Sequence, residues 1–169
     1  PAGVMTYFFL KDPEGKKVKL SYLNAENDTI QSFSSEAEKN KLEVSKGANQ
    51  HVWDMRGEGA ERLDGMILWW ANTDAPQAVP GNYKVVLEVE DEVMKQDFEI
   101  LADANAETNL AGMQEQYDFI SSVNKTVDKA HQSIKKMRKV DTQLKDFQKQ
   151  YKSNEQVKPL LEKAKTLSE

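Results

Sequence analysis

Two hydrophobic rhythms divide this chain of 169 residues. In the first part, apolar positions recur at every second residue. KVKLSYL (17–23) puts Val18, Leu20 and Tyr22 on one face and Lys17, Lys19 and Ser21 on the other. NYKVVLEVE (82–90) alternates Tyr83, Val85, Leu87 and Val89 against Lys84, Val86, Glu88 and Glu90. MTYFFL (5–10), TIQSF (29–33), ANQHVWDM (48–55) and VMKQDFEIL (93–101) are further strand-length runs. In the fourth of these, His51, Trp53 and Met55 share a register. Turn chemistry separates the runs: KDPEG (11–15) holds Pro13 and Gly15, NAEND (24–28) is polar, and Asp91-Glu92 joins the last two strands. Short period-two runs between turn signals predict an antiparallel, Ig-like sandwich.

The second rhythm begins after ADANAET. Leu110, Met113, Tyr117, Ile120, Val127, Ile134, Met137, Leu144, Phe147 and Tyr151 are spaced by threes, fours and sevens. That spacing predicts one helix of roughly forty to forty-five residues with a single apolar stripe. Asn124, His131 and Arg138 also fall on the stripe and interrupt it. KSN (152–154) is a break with capping residues, and Pro159 suits the first turn of a second, shorter helix. The short loop predicts a helical hairpin. The fold class is therefore α+β with the two parts segregated: an Ig-like sandwich over 1–103, and a long helix plus a short antiparallel helix over 104–169.

Charge follows the same division. Residues 1–103 carry 11 Lys and Arg against 19 Asp and Glu, whereas residues 104–169 carry 12 against 9. The acidic balance of the whole, −5, speaks against nucleic acid as a partner, and the short basic run KKMRK (135–139) is too small for a recognition face. No apolar run is long enough to span a bilayer, so no membrane insertion is expected. There are no cysteines, which excludes disulfides, thiolate zinc sites and cysteine nucleophiles. The two histidines, His51 and His131, are far apart, so no metal or cofactor is expected. The chain opens directly in strand-like sequence, as an excised piece of a longer polypeptide would.

Three stretches carry residue types that sites favour. In NQHVWDMRGEG, Trp53 reads as core, Asp54 as an acceptor for backbone N–H groups of the following loop, and Arg56 as its partner or that of another acid. In GMILWW (65–70), Trp69 and Trp70 face opposite sides of an extended chain, so one is free to stack on a sugar beside Asn72, Asp74 and Gln77. EVEDE (88–92) lacks the spacing and glycine of a calcium loop and reads as a solvated hairpin tip.

Longer patterns link these stretches. Gly47, Asn49, Trp53, Asp54 and Arg56 form a G-x-N-x-x-x-W-D-x-R strand. Gly65, Met66, Ile67 and Trp69 follow as G-M-I-x-W, and Pro80, Gly81, Tyr83 and Val85 as P-G-x-Y-x-V. The series resembles the C-terminal region of bacterial secreted Asp-box (BNR) repeat propeller proteins, the sortilin-like "glycosyl hydrolase" group, which continues into a helical pair. The sandwich part also resembles the Ig-like domain of the flagellar hook-capping protein. The resemblance implies a secreted or periplasmic, non-catalytic structural and interaction module, docked on the propeller of its own parent chain, with no catalytic residue here. Two alternatives stand beside it: a carbohydrate-binding module using Trp69 or Trp70, and a domain associated with a glycoside hydrolase. The helix stripe adds a partner of its own. Tyr117, Ile120, Val127 and Ile134 are expected at the contact of a homodimer formed through the long helix.

Overall fold

The computed structural model describes residues 3–69, 72–105 and 107–151, together with 157, 159, 160, 162, 163 and 166. The chain forms two compact units, 1–60 with 72–124 and 61–71 with 125–169. The division falls within the long helix, so each unit takes part of it.

The first unit is an antiparallel sandwich. Its strands are β1 (Val4–Leu10), β2 (Val18–Leu23), β3 (Thr29–Ser34), β4 (Gly47–Trp53), β5 (Gly81–Val89) and β6 (Glu92–Ile100). One sheet has the order β3-β2-β5-β6; the other is the pair β1-β4. This is the arrangement of an Ig-type sandwich, with β2, β5 and β6 in the C, F and G positions, β3 at C′, and β1 and β4 at B and E. The helix α1 (Leu110–Tyr151) follows. The expected α+β fold class is thus observed. The second, short helix expected after residue 151 falls largely outside the described residues.

Period-two patterning explains the packing. Leu20 of β2 pairs with Phe33 of β3 on one side and Leu87 of β5 on the other, and Tyr22 pairs with Val85. Residues in register share a face, so these side chains project together toward the second sheet. Val18, Leu20 and Tyr22 have no exposed surface, and neither does Trp53 opposite them. On the outer face, Lys19 lies across from Glu88 and forms an ion pair with it at 3.1 Å.

Aromatic contacts join the two sheets. The Trp53 ring stacks on Tyr22 with centroids 4.4 Å apart and planes at 18°. His51 lies 4.2 Å from Phe33, and the Tyr22 hydroxyl shares a 2.8 Å hydrogen bond with the Thr6 hydroxyl. Burial raises the Tyr22 pKa, and that hydrogen bond partly offsets it. β4 ends at Trp53, two residues earlier than the alternation predicts. The Asp54 carboxylate accepts from the Arg56 backbone N–H at 3.0 Å, and Met55 takes a left-handed φ of 63°. The local turn overrides the apolar register of Met55.

Two outcomes are expected. Trp53→Ala removes the largest fully buried ring and should lower the unfolding free energy by about 3–5 kcal/mol in chemical denaturation; a loss under about 1 kcal/mol would mean the ring is not central to the core. His51 is the second. Burial lowers its pKa from the ordinary value of 6.5, and its Nε2 is buried without a hydrogen-bond partner. The neutral ring is the folded form. Its contribution is present above the unfolded value and lost as pH falls through the lower folded value. Stability should therefore decline below about pH 6.5, and His51→Leu should flatten that decline.

Candidate functional site

The residues of the G-x-N-x-x-x-W-D-x-R stretch form β4 and the corner that follows it. Each has a partner in the backbone. Gly47 sits at φ 102°, a conformation that suits glycine. The Asn49 side chain accepts from Ser45 N–H at 2.8 Å and donates to the carbonyls of Ser45 and Gly47 at 2.8 and 3.0 Å. This buried amide fixes the entry into β4. The Trp53 indole N–H donates to the Arg56 carbonyl at 2.7 Å. Among the described residues no acid pairs with Arg56; its Nη1 donates to the Ala75 carbonyl at 2.6 Å. Two further backbone bonds, Ala78 N–H to Met55 at 2.6 Å and Ala60 N–H to Thr73 at 2.7 Å, zip the two sides of the excursion that leaves β4 and returns to β5. Gly59 belongs to the same ribbon, where a Cβ would collide with the Thr73 carbonyl.

The return is secured by the P-G-x-Y stretch. Gly81 lies at φ 157° and starts the paired part of β5, opposite Ile100, with Tyr83 two residues on, opposite Phe98. The Tyr83 hydroxyl donates to the Val79 carbonyl four residues upstream, the geometry of a tyrosine corner. Burial raises its pKa, with smaller contributions from Tyr117 and Glu26.

Beside this corner the first unit has an open cleft of about 610 Å³. Arg56, Gln77 and Pro80 line one side, Leu101 and Asp103 another, and Tyr117 and Ile120 from the first turns of α1 a third. The structure thus brings Tyr117 and Ile120 together against the sandwich of their own chain. Arg56, the strongest cation on the wall, is already held by a main-chain carbonyl. Among the described residues, no three His, Cys, Asp or Glu side chains gather as a metal site. No helix among them is long and apolar enough to cross a membrane.

Val127 and Ile134 lie in the second unit, half-buried on α1 on either side of His131. His131 reads in sequence as an interruption of the stripe. Instead it is 5% exposed, the one buried residue of the helix, and its Nδ1–H donates to the Glu61 carbonyl. Glu61 makes two more contacts with the same helix. Its N–H donates to Asp128 Oδ1 at 2.6 Å, and its carboxylate pairs with Lys135. Asp128, His131 and Lys135 are three and four residues apart, so they share one face. This clamp escaped the sequence because two of its three contacts are made to main-chain groups of Glu61. Beyond it, Gly65 at φ 74° turns the segment, Ile67 is 79% exposed and Trp69 is 85% exposed. Trp70 lies outside the described residues.

No protein-family model, curated protein or solved structure matches this chain.

The corner bonds yield a stability test. Arg56→Met and Tyr83→Phe each leave one carbonyl without its donor and should each cost about 1–3 kcal/mol in urea denaturation. An unchanged midpoint for both would remove the corner from the set of stabilising features.

Proposed function

We propose that this chain is a non-catalytic structural and interaction module of a larger secreted protein, of the Asp-box propeller kind that its motifs resemble. One observation carries the reading: the division of labour between polar and apolar groups. The site-type residues Asn49, Trp53, Asp54, Arg56 and Tyr83 all bond to nearby main chain and hold a corner. Several large apolar side chains, by contrast, are left exposed, including Tyr7, Phe9, Ile67 and Trp69. Exposed apolar surface of this kind serves association better than bond chemistry. The propeller of the parent chain is the first partner in this reading, and self-association through α1 is a further one.

A second reading has its own observation. Trp69, at 85% exposure, offers a face on which a sugar ring would stack. Both readings are open to direct measurement. The isolated chain should turn over no substrate in a broad glycoside panel; turnover abolished by replacing one carboxylate would make it an enzyme. On a glycan array the docking role expects no binding, whereas binding lost in Trp69→Ala would make the chain a carbohydrate-binding module.

A further inference from the structure

The cleft beside the corner holds a positive charge that the fold leaves without a counterion. All of its lining residues belong to the first unit. Arg56 is the one cation among them and Asp103 the one acid. Among the described residues these two form no ion pair. Asp103 is engaged in a turn instead, its Oδ1 accepting from the Asn105 N–H at 2.9 Å and from the Asn105 side-chain amide at 3.2 Å.

Arg56 is half-buried, and its bond from Nη1 to the Ala75 carbonyl fixes the head group. Nε and Nη2, the other edge of the guanidinium, bond no described residue. That edge carries two parallel N–H groups, the geometry that takes a carboxylate through a pair of charge-assisted bonds. Because the head is already immobilised, little side-chain freedom is left to lose on binding. Gln77 lies opposite Arg56 in an isolated antiparallel bridge, so the two side chains leave the ribbon on one face. Around them the walls are mostly apolar, with Pro80, Leu101, Met113 and Ile120 among them. A volume of about 610 Å³ suits a small organic ligand.

We propose that this cleft binds a monocarboxylate with an apolar body. The carboxylate would sit on the Nε–Nη2 edge of Arg56, and the body against Pro80, Leu101 and Ile120. One cation balances one negative charge, and Asp103 on another wall disfavours a dianion such as a phosphate ester. A free organic acid and the C-terminal residue of a peptide both present this chemistry. The site does not use the exposed side chains that carry the interaction role proposed above, so that role stands if the cleft binds no acid.

The test is a titration of the isotope-labelled 169-residue chain, followed through its amide resonances. The probes are phenylacetate and phenylacetamide, and acetyl-alanyl-phenylalanine with a free or an amidated C-terminus. At least one acid should saturate with a Kd of about 1 mM or tighter. It should shift the amides of Arg56, Gln77 and Ile120, and bind roughly tenfold or more tightly than its amide. Tighter binding of phenylacetate would mark a free acid as the source, and tighter binding of the peptide acid a chain terminus. Gln77→Glu places a competing carboxylate beside Arg56 and should weaken binding about tenfold. Gln50→Glu makes the same charge change on β4, away from the cleft, and should leave binding unchanged. Both positions are exposed, and near-ultraviolet circular dichroism checks the folding of each variant. The proposal is overturned if neither acid saturates, if acid and amide bind alike, if the shifts fall away from the cleft, or if the two glutamate variants behave alike.

Discussion

The stack of Trp53 on Tyr22 is the contact through which the two sheets become one sandwich. Each ring comes from a different sheet, and neither has exposed surface. An indole cannot be buried without a partner for its N–H, and the partner here is the Arg56 carbonyl. That requirement forces the chain to turn within three residues of the ring. The Asp54 turn, the left-handed Met55 and the reach of Arg56 to Ala75 all follow from it. The polar corner that resembles a reaction centre in sequence is thus the hydrogen-bonding complement of an aromatic core.

A two-stranded cover on a four-stranded sheet sets where this protein is solid and where it is soft. Hydrophobic stabilisation is concentrated on β2, at the centre of the larger sheet. It declines toward β6, whose first six residues are all exposed. Such a gradient lowers the cost of local opening at one edge while the core stays closed. Tyr7 and Phe9 are left exposed on the outer face of β1.

Much of the fold was legible in the sequence because it is written in local periods. The alternation in KVKLSYL and NYKVVLEVE gives β2, β5 and their buried face, and the spacing of threes and fours gives α1. The motif residues were legible as structural because tryptophan, aspartate and tyrosine have recognisable roles at strand ends. What stayed hidden depends on contacts between distant residues. Alternation puts Met55 in the strand, yet the turn at Asp54 excludes it. Charge pairing gives Arg56 an acid, yet a carbonyl nineteen residues away holds it. Polarity makes His131 an interruption of the stripe, yet a main-chain acceptor from residue 61 makes it the buried centre. In β1, both parities of VMTYFFL are hydrophobic, so pattern alone does not tell the inner face of Val4 and Phe8 from the outer face of Tyr7 and Phe9.

The Glu61 clamp has a consequence for how the helix tolerates change. One residue of the excursion engages Asp128, His131 and Lys135 through its N–H, carbonyl and carboxylate. Together they work as a gauge of helical phase. Each residue of an α-helix advances the face by about 100°, so inserting or deleting one residue between Asp128 and Lys135 would swing at least one contact out of reach. Point substitutions at the solvated positions between them leave the phase untouched. Over these roughly two turns, drift in sequence is free in composition but closed to changes in length.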